Sequence, residues 1–161
     1  ESIEKIKEET SLLGSKLHLI LSGSGEDEQV LKEMVKSKNM GGMVTFTGYC
    51  NNPIDFINAA DIFALPSVAN EDMPLVILSA MKLGKPIVAT NFAGIQEEIE
   101  SGVSGILIEP NEQTIVDNLV HVLIEMSHCN NIWGKNAQVR YEELFSPKIY
   151  ERKLLEIYSK S

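Results

Sequence analysis

Apolar residues recur along this chain in two alternating rhythms, short unbroken runs and helical stripes. Leu17 to Leu21, Met43 to Thr47, Ile62 to Leu65, Ile87 to Thr90 and Ile106 to Ile108 are short apolar runs near glycine, proline, serine or asparagine, which predicts strands. Between them, apolar residues fall three and four apart. Val30, Leu31, Met34 and Val35 predict the inner stripe of a helix over 26–38. Ile115, Leu119, Leu123 and Met126 predict one face of a helix over 112–127. Residues 2–13 read as an opening helix, and Asn52-Pro53 starts a short helix carrying Ile54 and Ile57. A brief helix falls near 95–100, and two more close the chain. Strands alternating with helices predict a Rossmann-like α/β fold, a parallel sheet with helices on both faces, as a single domain of residues 1–161.

One stretch departs from ordinary amphipathic patterning. After the polar residues Asn70-Glu71-Asp72, the run Met73 to Leu83 contains only Ser79 and Lys82 as polar residues. Pro74 suits the first helical position, Gly84 the left-handed stop, and Lys85-Pro86 prevents continuation. A helix over 74–83, buried on most sides and opened by an acidic loop, is expected to border a ligand site.

Composition narrows the classes of ligand. The chain has 161 residues, with 43% hydrophobic and 23% charged, ordinary values for a globular domain. A formal charge of −9 argues against a nucleic-acid footprint, though backbone N–H groups bind phosphate whatever the net charge. Cys50 and Cys129 form neither metal-ligand spacing nor a disulfide framework, which favours a reducing cytoplasmic setting. His18, His121 and His128 lack the i,i+4 spacing of a helical zinc site, so no metal is implied. No apolar run reaches the length of a transmembrane segment. Met34, Met40, Met43 and Met81 read as core filler, Asp61 as structural, and Trp133 with the last helices as packing elements.

In parallel sheets, ligands sit beyond the carboxyl ends of the strands. The segments found there are Gly23-Ser24-Gly25, Gly48-Tyr49, Pro66-Ser67 through Glu71, and Asn91 through Gly94. Small, hydrogen-bonding residues of this kind suit a phosphate- and sugar-binding edge. They equally suit ordinary strand-to-helix turns.

The run from Glu71 to Ala80-Met81 resembles the donor-binding helix of the family-4 (group 1) retaining glycosyltransferases. The resemblance extends from about Leu17 to Leu123 and takes in Ala89-Thr90, Gly94 and the segment Gly102 to Pro110. It is similar to the C-terminal, nucleotide-sugar-binding half of a GT-B fold. The resemblance implies that Glu71 is the catalytic carboxylate contacting the transferred sugar, and that N–H groups around Asp72, Met73, Leu75 and Val76, behind Pro74, approach the pyrophosphate. It further implies that Gly23 and Gly25 admit the donor, and that Gly48 and Tyr49 lie near the base. The substrate would be a nucleotide diphosphate sugar, with UDP or GDP expected, and no other cofactor. A hexose would pass to a saccharide or lipid-linked acceptor, as in polysaccharide biosynthesis.

Two departures bear on that reading. Where the family has a second glutamate, for the ribose hydroxyls, this chain has Ser79. The strand that opens the family's C-terminal half, with the Arg and Lys that follow it, has no counterpart, and neither does the acceptor-binding N-terminal domain. The first strand being absent, the chain reads as a fragment inactive by itself, whose intact form would be cytoplasmic or at the inner membrane surface. The alternatives are a degenerate, non-catalytic module serving as subunit or scaffold and, on Lys85-Pro86 alone, a phosphorylated receiver domain.

Overall fold

The computed structural model describes residues 2, 5, 17–68, 72–128 and 131–159. The helix expected over 2–13 lies outside the described residues, apart from Ser2 and Lys5, both helical. The chain divides into two compact units, residues 1–56 and 57–161.

The first unit contains a strand–helix–strand repeat. β1 (Leu19–Ser22) and β2 (Val44–Gly48) are joined through α1 (Glu28–Ser37). The strands run parallel, pairing Leu19 with Val44, Ile20 with Thr45 and Leu21 with Phe46, before a bulge sets Ser22 opposite Gly48. Charge placement supports α1: Glu28 lies in its first turn and Lys36 in its last, complementing the helix dipole. Glu28 also pairs with Lys32 at 2.6 Å, one turn on.

Of the expected inner stripe of α1, Val35 is half-buried and the other three residues are not inside. None of its residues is buried, and Val30, Leu31 and Met34 are exposed. The helix instead turns Lys32, Val35 and Lys36 toward Val44 and Phe46, with the Lys32 ammonium 5.7 Å from the Phe46 ring centroid. The Lys32 side chain stays 48% exposed, its stem and cation–π contact covering Phe46 only in part, so no side of α1 forms a core. Met34 is therefore not core filler. Met40 is buried and Met43 half-buried.

The second unit holds β3 (Phe63–Leu65), β4 (Ile87–Thr90) and β5 (Ile106–Ile108), all parallel in the order β3-β4-β5. α2 (Ile54–Ala59) leads in and buries Ile57. α3 (Leu75–Lys82) and α4 (Ile95–Glu98) connect the strands, and α5 (Ile115–His128), α6 (Ile132–Leu144) and α7 (Pro147–Tyr158) follow.

Every residue of β4 is buried, as expected for a central parallel strand covered on both faces. Successive side chains point to opposite faces, and the two cores follow that alternation. Ile87 and Ala89 pack with Ile77, Ala80 and Met81 of α3, Ile95 of α4, and Ala137 and Tyr141 of α6. Val88 and Ile108 pack with Val122 and Met126 of α5 and with Trp133. Helices thus cover both faces, a Rossmann-like arrangement. Trp133 packs as anticipated, but α7 buries none of its residues.

Among the described residues the strands form two parallel ladders, β1-β2 and β3-β4-β5.

The end of α3 follows the pattern of its sequence. Gly84 adopts φ +64. Its N–H donates to the Met81 carbonyl at 2.9 Å, and the Lys85 N–H donates to the Ala80 carbonyl at 3.0 Å. These two bonds make a Schellman motif, which glycine enters without a Cβ penalty.

Candidate functional site

At the carboxyl ends of β1 and β2, the structure brings Gly23 and Gly48 together. The Gly23 N–H donates to the Gly48 carbonyl at 3.0 Å, with φ values of +131 and +64. Nothing would obstruct a Cβ at either position, so the requirement is conformational and not spatial. Gly25 begins the turn into α1, its carbonyl accepting the Glu28 N–H at 3.2 Å. Tyr49, directly after Gly48, is 78% exposed, so its ring is not a packing element in this unit. It is available to stack on a planar ligand.

The second unit carries a comparable edge. Beyond β3 come Pro66 to Val68 and then Asp72, Met73 and Pro74 ahead of α3; beyond β4 comes Asn91 to Gly94. Glu71 and Asn70 lie outside the described residues. The fully buried Thr90 donates its hydroxyl to the Ser67 carbonyl. A Cβ on Gly94 would stand 2.1 Å from the Asp72 carbonyl oxygen, so this glycine makes room for the Asp72–Met73 backbone. The segments after β3 and β4 are therefore in direct contact.

α3 begins one residue later than its sequence predicts. Pro74 is the N-cap, with ψ 108, and among the described residues no side chain caps the first turn. Its carbonyl accepts the Ile77 N–H at 2.9 Å. A pyrrolidine ring has no oxygen to turn back on the helix, so the N–H groups of Leu75 and Val76 receive no capping side chain from the N-cap residue. The helix is also less buried than its composition predicts. Ile77, Ala80 and Met81 form its inner face, whereas Leu75 is 74% exposed and Met73 is exposed. At the start of the helix Met73 and Leu75 thus point outward, while Ile77 two residues on is already in the core cluster.

Ser79 is half-buried on α3, and its hydroxyl donates to the Leu75 carbonyl at 3.0 Å. That back-bond uses its only proton, leaving the oxygen an acceptor. The sequence places Asn91 to Gly94 at the carboxyl edge and Thr90 and Gly94 within the resemblance, but not the contacts they make with Ser67 and Asp72.

Two further features were also missed. Glu98 is fully buried in α4, and Arg140 from α6 donates to the carbonyls of Glu98 and Glu97 at 2.7 and 3.0 Å. Among the described residues, no group of three or more His, Cys, Asp or Glu side chains is arranged to hold a metal ion. No helix among them is long and apolar enough to cross a membrane.

The model of the glycosyl transferases group 1 family matches residues 1–140. The chain belongs to this family. Among its group 1 relatives is an uncharacterised glycosyltransferase of Methanocaldococcus jannaschii, 31% identical over 150 residues, which are 87% of this chain and 38% of that protein. The N-acetyl-alpha-D-glucosaminyl L-malate synthase of Bacillus anthracis is 30% identical over 132 residues, 81% of this chain and 34% of the other. The crystal structure of Anabaena HepE in complex with UDP-glucose superposes with a TM-score of 0.79 at 27% identity. It covers 99% of this chain, and 44% of HepE is matched. The group 1 chain thus spans less than half the length of these relatives. It is a glycosyltransferase domain of the GT-B type.

Proposed function

We propose that residues 1–161 are the donor-binding domain of a retaining hexosyltransferase that uses a UDP-sugar. The observation that carries this reading is the uncapped start of α3 at the carboxyl edge of the sheet, where the segments after β3 and β4 meet. N–H groups without intrahelical partners, at the positive end of a helix dipole, suit a diphosphate. The similarity to HepE, solved with UDP-glucose, favours UDP over GDP.

In this scheme the backbone around Asp72, Met73, Leu75 and Val76 stabilises the departing diphosphate. A preorganised helix terminus serves that purpose electrostatically, as developing charge meets fixed dipoles. Glu71 accepts hydrogen bonds from hydroxyls of the transferred sugar. Ser79 accepts one from a ribose hydroxyl. Gly23, Gly25, Gly48 and Tyr49 are assigned to the nucleotide by the family resemblance. The intact enzyme transfers the hexose to a saccharide or lipid-linked acceptor held by an N-terminal domain, in the cytoplasm or at the inner membrane surface. No metal takes part.

Titration calorimetry with UDP, GDP and ADP tests the donor assignment, UDP being expected to bind most tightly. In the intact enzyme, Glu71→Ala is expected to lower kcat/KM by about a hundredfold or more, by analogy with loss of one transition-state contact. Near-parental transfer by that variant would remove the assignment of Glu71.

The hydroxyl of Ser79, tied to its own helix, favours a second reading, a module that has lost donor binding and serves as subunit or scaffold. Under it, the parent chain ignores nucleotides and Ser79→Glu restores binding. Tight binding by the parent chain would dismiss it.

A further inference from the structure

Ser67 and Asp72, on either side of residues 69–71, both rest on one short stretch, Thr90 to Gly94. At Ser67 the tie is a hydrogen bond to its carbonyl from a threonine with no exposed surface. Removing that hydroxyl would take away the hydrogen bond that ties the part-buried Ser67 carbonyl to β4. At Asp72 the tie is steric. A Cβ on Gly94 would lie 2.1 Å from the Asp72 carbonyl oxygen, 2.9 Å from its carbon and 3.6 Å from the Met73 Cα. The atoms in the way are backbone, so no side-chain rotation relieves the clash.

The turn that presents Gly94 is itself constrained. Asn91 N–H donates to the Ile108 carbonyl at 2.7 Å, Phe92 N–H to Thr90 at 2.9 Å, and Ile95 N–H to Phe92 at 3.1 Å. Ala93 sits at φ +46, a conformation unfavourable for a residue with a Cβ. A stretch held this firmly serves as a fixed reference for the segment resting on it.

We infer that Thr90 and Gly94 are positioning residues for the donor site, setting where the Asp72–Met73 backbone and the first N–H groups of α3 stand against a diphosphate. The inference rests on the donor-binding reading above. Neither residue contacts the donor; each acts through the backbone it holds.

The test is calorimetric titration of the 161-residue chain with UDP, beside Thr90→Val, Thr90→Ser and Gly94→Ala, with thermal unfolding of each. Thr90→Val and Gly94→Ala are expected to weaken UDP binding by about tenfold or more, since misplacement by an ångström is costly to a preorganised site. Thr90→Ser keeps the donor hydroxyl and is expected to bind as the parent does. Thr90→Val is nearly isosteric, so it carries the test should Gly94→Ala fail to fold. A purely structural role would lower the unfolding temperature of Thr90→Val and leave its UDP affinity intact, which would overturn the inference while the donor reading stands. Equal weakening in Thr90→Ser and Thr90→Val would overturn it too, because the hydroxyl would then not be the operative group. A folded parent chain that ignores UDP would overturn the donor reading and this inference together.

Discussion

In the unit of residues 57–161, the central strand β4 has no exposed residue, and its side chains feed an apolar cluster on each face. In the unit of residues 1–56, the helix between two equally parallel strands has no buried residue. Its local sequence is not to blame. α1 is well provided with acidic and basic ends and an i,i+4 ion pair, and its apolar residues recur with helical spacing. Parallel pairing therefore does not by itself make a core. The difference lies in cover: α3, α4 and α6 on one face of β4 and α5 on the other, against one lysine-bearing side of α1 over Val44 and Phe46.

Substitutions in the two units should separate accordingly. Ile77→Ala, at a fully buried position of α3, is expected to cost about 2–5 kcal/mol in urea unfolding, through lost transfer energy and a residual cavity. Arg140→Met keeps the stem but removes the donors to the Glu97 and Glu98 carbonyls, and should cost about 1–3 kcal/mol. Leu31→Ala on α1 should fall within about 0.5 kcal/mol of the parent. A Leu31→Ala cost matching that of Ile77→Ala would break the comparison, because the outward stripe would then be a packed one.

The strands were the most legible part of the sequence. Ile87–Thr90 and Ile106–Ile108 stand where their apolar runs predict, since strands covered on both faces need unbroken apolar composition. Gly84 was equally plain, because only a left-handed residue closes that helix so economically. The exposure of α1 was hidden. Periodicity reveals that a stripe exists but not how much of it a neighbour covers, and of this stripe only Val35 is half-buried. At the site, the glycine pair Gly23 and Gly48 was anticipated as a turn and a loop, and the structure joins them. The contact of Gly94 with Asp72 was not readable. A sequence displays a glycine without displaying what backbone, more than twenty residues earlier, passes where its side chain would have been.

Helix α6 holds the ends of two other helices. Asn131, its N-cap, donates to the carbonyl of Gly84 just beyond α3, Gln138 to that of Lys82, the last residue of α3, and Arg140 does the same for the end of α4. These partners lie 47, 56 and 42 positions apart in the chain. On a ribosome adding about 5–20 residues per second, α3 and α4 would emerge seconds before the donors that complete them. Until α6 clears the exit tunnel, the second unit has its strands but not the element that ties its helix ends. A nascent chain stalled ahead of residue 131 would therefore leave those carbonyls to water.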